Sequence, residues 1–145
     1  MFDFDSLEDA ARQRRDFYKF RGFHNGALLY GDLLHRDGEC YIVPQDATDS
    51  MDNYLVPWES VSMFTGMSDK NGKEIYERDF IMLENFGIVM VVYNRKRCSF
   101  ELRVDLLDGG FIDNLKDFNV EKYEVVGNAI EDCHYFKRMK NNRAL

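Results

Sequence analysis

Hydrophobic and polar positions change period once along the chain. Over residues 5–18 apolar side chains recur at helical spacing, with Leu7, Ala10, Ala11 and Phe17 on one stripe. Asp5 and Ser6 are N-cap types, and Glu8 and Asp9 follow each by three positions, as in a capping box. Acids lead and Arg12, Arg14 and Arg15 follow, which suits the helix dipole. The spacing therefore predicts one amphipathic N-terminal helix. It is too short to persist alone, so it needs a covering surface. Its stripe is expected to pack on a sheet edge or open face, within the chain or across a symmetric contact, leaving Arg12 and Arg15 toward water or toward an acidic patch from residues 37–84.

From residue 19 the period shortens to that of strands. Asn25-Gly26, Asp37-Gly38, Asn71-Gly72 and Asp108-Gly109 are two-residue turn signals, because Asn, Asp and Gly tolerate the positive φ of tight hairpins. Phe20–Phe23 and Ala27–Leu34 flank the first turn, and Leu34–Arg36 and Glu39–Val43 the second. Phe80–Leu83 and Gly87–Tyr93 flank a short link, Cys98–Leu106 alternates, and Tyr123–Ile130 closes the series. The alternation places Phe100, Leu102 and Val104 inward and Glu101 and Arg103 outward. Residues 113–122 have room for a short helix, and the polar run 45–53 reads as a mobile loop. The pattern predicts a mostly β chain, hairpin-rich at first, ending in a small barrel or rolled sheet.

Composition narrows the class. The 145 residues are 45% hydrophobic and 14% aromatic, which excludes a disordered chain. No run of about 18 apolar residues appears, so no membrane partner is expected. The opening Met1-Phe2-Asp3-Phe4-Asp5 lacks the basic and apolar regions of a secretory leader, and Cys40, Cys98 and Cys133 are widely spaced. A reducing, cytoplasmic setting is the expectation. The net charge of −7 is uneven: residues 37–84 carry eleven acids and three bases. Arg95, Lys96 and Arg97 form one basic island, and Lys137, Arg138, Lys140 and Arg143 another. An acidic chain repels nucleic acid at long range, so only these islands leave such a partner open.

Candidate chemistry is sparse. Asp69-Lys70-Asn71-Gly72 resembles part of a calcium loop, but Met67 and Arg78 fall at its first and twelfth positions and cannot ligate calcium. His35 with Cys40, and Cys133 with His134, lack the paired spacing of a zinc site. No nucleophile elbow, P-loop or dinucleotide fingerprint is present. We expect no catalytic residues, no metal and no cofactor, and read the chain as a non-enzyme. Trp58, the single tryptophan, follows Pro57 and is a candidate binding residue together with Arg95, Lys96 and Arg97.

One block is more specific. Phe64-Thr65-Gly66-Met67-Ser68-Asp69-Lys70-Asn71-Gly72 continues through Lys73-Glu74-Ile75-Tyr76-Glu77-Arg78-Asp79-Phe80-Ile81. It resembles the signature of the YopX family of phage and prophage proteins. Phe20-Arg21-Gly22, Leu29-Tyr30-Gly31-Asp32-Leu33 and Tyr123-Glu124-Val125-Val126-Gly127-Asn128 resemble its flanking segments, in order. Two positions depart from the family pattern: Arg78 stands where the family has Gly, and Leu28 where it has Trp. The resemblance implies a mostly β protein whose C-terminal part is an SH3-like β-barrel. The chain then divides into a helix at 1–18, which extends before the family's usual start, a hairpin region at 19–62, the barrel at 63–136 and a basic tail at 137–145. The resemblance also implies a phage gene expressed in a bacterial cytoplasm, and no activity. Within the block, Asp69, Asn71 and Gly72 read as a turn, Ile75 and Tyr76 as anchors, and Glu77 and Asp79 as flanks of the run into the barrel. The expected role is that of an accessory protein that binds a protein partner or itself, with nucleic-acid binding through 95–97 and 137–143 as the alternative.

Overall fold

The computed structural model describes residues 3–84, 86–104 and 110–132. The Asp108-Gly109 turn, the Cys133-His134 pair, the basic tail at 137–145 and the side chains at 13–16 lie outside the described residues.

Helix α1 spans Phe4–Phe17, capped by the Asp3 carboxylate, which accepts from the Asp5 N–H at 3.1 Å and the Ser6 hydroxyl at 2.9 Å. Strands β1 (Phe20–His24), β2 (Ala27–Arg36) and β3 (Glu39–Val43) then form two hairpins. Both residues of each turn are left-handed, with φ of 47° and 90° at Asn25-Gly26 and 52° and 79° at Asp37-Gly38. These are the dihedrals a primed two-residue turn requires. Residues 44–50 are irregular and lead to a 3-10 turn at Met51–Tyr54 and the short β4 (Leu55–Val56).

Strands β5 (Ser62–Ser68) and β6 (Glu74–Tyr76) join this first sheet, because Phe20 pairs with Met63 and Phe64 with Tyr76. Its order is β4-β3-β2-β1-β5-β6. The first sheet thus runs to Tyr76, past residue 62, where the sequence places the end of the hairpin region. The second sheet comprises β7 (Asp79–Leu83), β8 (Gly87–Asn94), β9 (Ser99–Arg103), β10 (Phe111–Asn114) and β11 (Val125–Asn128), in the order β10-β9-β8-β7-β11. All pairs are antiparallel, and among the described residues no pairing joins β10 to β11. The fold is mostly β, in two sheets. Segment 113–122, where a short helix was expected, instead holds the end of β10 and 3-10 turns at Leu115–Asp117 and Val120–Lys122.

Ile81, Val89, Val91 and Leu102 of the second sheet pack with Leu115, Val120 and Ile75. Ile75 belongs to β6, so the first sheet contributes to the second sheet's core. Conversely Ile130, in the four-residue helix α2 (Ala129–Asp132), packs on Phe23 of β1. Cys40, Ile42 and Val56 form a third cluster under Phe20, Leu29 and Leu33.

Two sequence expectations change here. The α1 stripe is not buried: Leu7 is 45% exposed, and Ala10 and Ala11 also face water. The helix touches the body near its end, where the Phe17 ring lies 6.3 Å from that of Phe64. Gly66 makes room for it, since a Cβ there would lie 2.1 Å from Phe17 Cε1. Helical periodicity records a tendency to be amphipathic and says nothing of whether a surface waits for it. The second change is in the run 100–104, where Val104, placed inward by alternation, is 44% exposed and Glu101, placed outward, is 2% exposed. Its carboxylate accepts from Asn94 Nδ2 at 3.1 Å and Arg103 Nε at 3.3 Å. Two neighbours on the same face thus supply the donors that a buried carboxylate needs.

Candidate functional site

The 69–79 block sits where the sheets meet. Asn71-Gly72 does not make a two-residue hairpin: Ser68 pairs with Glu74 across a five-residue loop. The Asp69 side chain organises that loop. Its Oδ1 accepts from the Asn71 and Lys73 N–H groups at 2.8 and 2.9 Å, and its Oδ2 from the Val125 N–H at 3.0 Å. Gly72 has φ 77°, which lets the chain return so that the Asp69 N–H reaches the Lys73 carbonyl at 2.9 Å. The loop is thereby pinned to the start of β11. Burial pushes the Asp69 carboxyl up, but its three N–H donors outweigh this and hold it below the ordinary carboxylate value.

Ile75 and Tyr76 follow, fully buried, and lead to a buried ion pair between the sheets. Arg21 Nη2 of β1 lies 2.8 Å from Asp79 Oδ1 of β7, with side chains 2% and 1% exposed. Arg21 also donates to the Glu77 carbonyl at 3.1 Å, and its guanidinium lies 4.9 Å from the centre of the Tyr76 ring. Asp79 Oδ2 accepts from the Tyr76 N–H at 2.8 Å. Burial pushes the Asp79 carboxyl up, and Arg21 pulls it part of the way back. Burial also raises the Tyr76 hydroxyl, with Glu74 adding to the effect, so that hydroxyl keeps its proton.

Arg78, at the family's Gly position, is left-handed at φ 72°. The backbone at 78 therefore turns left-handed without the residue that adopts that conformation most readily. Its N–H donates to Val91 O, its carbonyl accepts from the Ala129 N–H, and its guanidinium donates to the Glu59 carbonyl.

This last contact closes one side of a cleft of about 420 Å³, lined by Trp58, Leu33, Val61, Met63, Glu77 and Arg78 among others. Trp58 opens a 3-10 turn, Trp58–Ser60, after Pro57. Ser60 Oγ donates to the Pro57 carbonyl at 2.8 Å and accepts from the Phe23 N–H at 3.0 Å, which fixes the turn to β1. The Trp58 ring is 57% exposed and lies 4.8 Å from the His35 ring. Beneath it His35 Nδ1 and Cys40 Sγ are 3.6 Å apart, and burial raises the Cys40 thiol, so it is poorly suited to act as a nucleophile. Burial likewise raises the Glu77 carboxyl in the cleft wall, with Arg78 opposing.

Arg95, Lys96 and Arg97 lie elsewhere, at the tip of the β8–β9 hairpin. Asn94 Oδ1 accepts from the Lys96 and Arg97 N–H groups at 3.0 and 3.3 Å and shapes the tip. The Arg97 guanidinium is 5.9 Å from the Phe111 ring centre, and Tyr93 and Phe100 pair nearby at 5.1 Å. Trp58 and the basic tip are not brought together. Instead Trp58 shares its cleft with Glu77 and Arg78 of the block.

Sequence reasoning missed the part Arg21 plays. It enters the sequence reading only as part of the Phe20-Arg21-Gly22 segment, because its counter-ion Asp79 stands in the other sheet. Among the described residues no group of three His, Cys, Asp or Glu side chains could hold a metal ion, and no helix is long and apolar enough to cross a membrane.

Two antiparallel sheets joined across a buried Arg–Asp pair, with a tryptophan-walled cleft on the opposite side of β1 from Arg21, define a mostly β protein with an open surface cleft. The YopX protein family profile matches residues 19–136, and the chain belongs to that family. No curated protein matches the chain.

Proposed function

We propose that this chain is a non-enzymatic phage or prophage accessory protein, acting in a bacterial cytoplasm, that binds a protein partner or a second copy of itself through the Trp58 cleft. The observation that carries this reading is the exposure of Trp58 on a turn held rigid by Ser60. A large aromatic at a fixed position, beside apolar Leu33, Val61 and Met63 and ringed by Glu59, Glu77 and Arg78, has the make-up of an interface centre with a polar rim. The second sheet supports an SH3-like reading by its strand order, a four-strand meander whose fifth strand returns beside the first after a 3-10 turn. Helix α1, with its apolar stripe open, is a further surface a partner could cover.

Trp58 reports on its own cleft, because it is the single tryptophan. Binding shifts its emission to the blue and shields it from iodide. The test is capture from phage-infected lysate, with wild type and Trp58→Ala side by side, and light scattering of the purified chain. A protein held by wild type and lost with Trp58→Ala supports the reading, as does an oligomer that Trp58→Ala dissociates. A strict monomer that captures nothing, or capture indifferent to Trp58, refutes it.

A second reading has its own observation. Arg97 of the basic β8–β9 tip lies over the Phe111 ring, a charge beside a stacking face of the kind used on single-stranded nucleic acid. Titration with single-stranded DNA at about 50 mM salt tests it, where such contacts are least screened. No binding there rejects it.

A further inference from the structure

On the opposite side of β1 from the Trp58 cleft lies a second cavity, of about 300 Å³, walled by Tyr18, Tyr30, Tyr76, Asp32, Lys19 and Glu74 among others. The β-register places it. Arg21 pairs with Tyr30 and Phe64 with Tyr76, so these four side chains share one face, while Phe20, Leu33 and Met63 point to the other. Gly31, between Tyr30 and Asp32, lets Val43 come close, since a Cβ there would lie 2.1 Å from the Val43 carbonyl oxygen.

This face already holds two of the chain's own cations on aromatic rings. Lys19 Nζ lies 5.1 Å from the Phe64 ring centre and pairs with the Glu74 carboxylate. The Arg21 guanidinium lies 4.9 Å from the Tyr76 ring centre and pairs with Asp79. In both cases the pattern is an aromatic face plus a carboxylate. The pattern is repeated once more without its cation. Tyr30 stands edge-on to Tyr76 at 5.4 Å and is 46% exposed, and Tyr18 is 59% exposed. Asp32 forms no ion pair among the described residues. With Lys19 engaged by Glu74, the cavity keeps a net negative charge. An anion would meet Asp32 unopposed, and a neutral apolar group would leave that carboxylate without a partner.

We propose that the Tyr18–Tyr30–Asp32 cavity binds an organic cation, the guanidinium or ammonium group of a polypeptide side chain. Tyrosine faces attract it through their quadrupole, and Asp32 supplies the counter-charge. This proposal is independent of the Trp58 cleft, which lies on the other side of the strand.

The test is NMR titration of the full chain with N-acetyl-arginine amide, following the ring protons of Tyr18 and Tyr30. N-acetyl-citrulline amide, nearly the same shape without the charge, is the control. A saturable shift at millimolar concentration is expected, weaker by roughly tenfold for citrulline, a factor that corresponds to one cation–aromatic contact. Asp32→Asn and Tyr18→Leu should each weaken arginine binding several-fold, and added salt should weaken it too. Both positions are exposed, and an unchanged melting temperature shows the variants folded. Comparing Gly-Arg-Gly amide with agmatine separates the sources: tighter binding of the peptide assigns a polypeptide partner, and equal binding assigns a free small cation. Equal shifts with citrulline, shifts that never saturate, or wild-type binding by both variants overturns the proposal. Trp58→Ala should leave this titration unchanged, so failure of the cleft reading and of this one are separable.

Discussion

Removing either member of the Arg21–Asp79 pair should destabilise the protein far more than removing both. At 2.8 Å and an effective dielectric near 20, the attraction between the two charges is about 6 kcal/mol. Taking each ion out of water costs several kcal/mol, so the pair as a whole contributes little net stability. A lone survivor has no such offset. Asp79→Ala strands a guanidinium that cannot lose its proton and also orphans the Tyr76 N–H, a loss of about 3–5 kcal/mol. Against a total stability on the order of 5–15 kcal/mol, that is a large fraction. Arg21→Ala strands a carboxylate instead, and a carboxylate can escape by taking up a proton. The Asp79 carboxyl already stands above its ordinary value through burial, and losing Arg21 raises it further. A raised folded-state pKa gives stability that is present at low pH and lost as pH rises through that value. Arg21→Ala should therefore recover part of its deficit relative to wild type as pH is lowered from about 7 to about 4, the ordinary carboxylate value, while Asp79→Ala should not. The double variant Arg21→Met/Asp79→Leu should fall within about 2 kcal/mol of wild type. Urea unfolding of the four proteins at the two pH values decides the matter. Additive losses in the double variant, or parallel pH profiles for the two single variants, would refute the reasoning.

Three further outcomes follow from the same region. Asp69→Asn keeps one acceptor oxygen but cannot accept from both Asn71/Lys73 and Val125, and should cost about 1–3 kcal/mol near neutral pH. Because the folded Asp69 carboxyl lies below its ordinary value, its contribution is complete above about pH 4 and fades as pH falls. The gap to wild type should close in acid, and a gap constant with pH counts against this. Arg78→Gly should be more stable than Arg78→Ala by about 1 kcal/mol, since both lose the guanidinium and only Ala keeps the left-handed strain; equal melting temperatures would contradict it. Gly66→Ala, at φ 85° and against Phe17, should free the end of α1 and speed proteolysis within residues 4–17, with a further loss of about 1 kcal/mol in the sheets from left-handed strain in β5; unchanged cleavage would show that Phe17 does not hold the helix.

Local chemistry made the hairpins legible. At Asn25-Gly26 and Asp37-Gly38 the residues that tolerate left-handed φ are adjacent, and the strands on either side alternate. Asn71-Gly72 carries the same dipeptide but a different loop, because the Asp69 carboxylate two positions earlier offers the backbone a better arrangement. A dipeptide rule does not see that competitor. Family membership was legible through the 64–81 block, but the burial of its parts was not. Glu101 looked solvated because its donors, Asn94 and Arg103, were not recognised as donors on one face. Arg21 looked ordinary because its counter-ion belongs to another sheet. Trp58 was singled out from its residue type and the Pro57 before it, whereas its company with Glu77 and Arg78 arises only when β5 returns beside β1.

The edges of the two sheets bear on how copies of this chain can meet. The outermost strands are β4 and β6 in one sheet and β10 and β11 in the other, with two, three, four and four residues. The long strands, β2 with ten residues and β8 with eight, find their partners in halves: β2 pairs with β1 through residues 27–31 and with β3 through 32–36, and β8 pairs with β7 through 87–90 and with β9 through 90–94. Among the described residues the outermost strands are too short to template a long ladder, which disfavours edge-to-edge growth of one molecule on another there. Contacts that avoid those edges would be made by side chains.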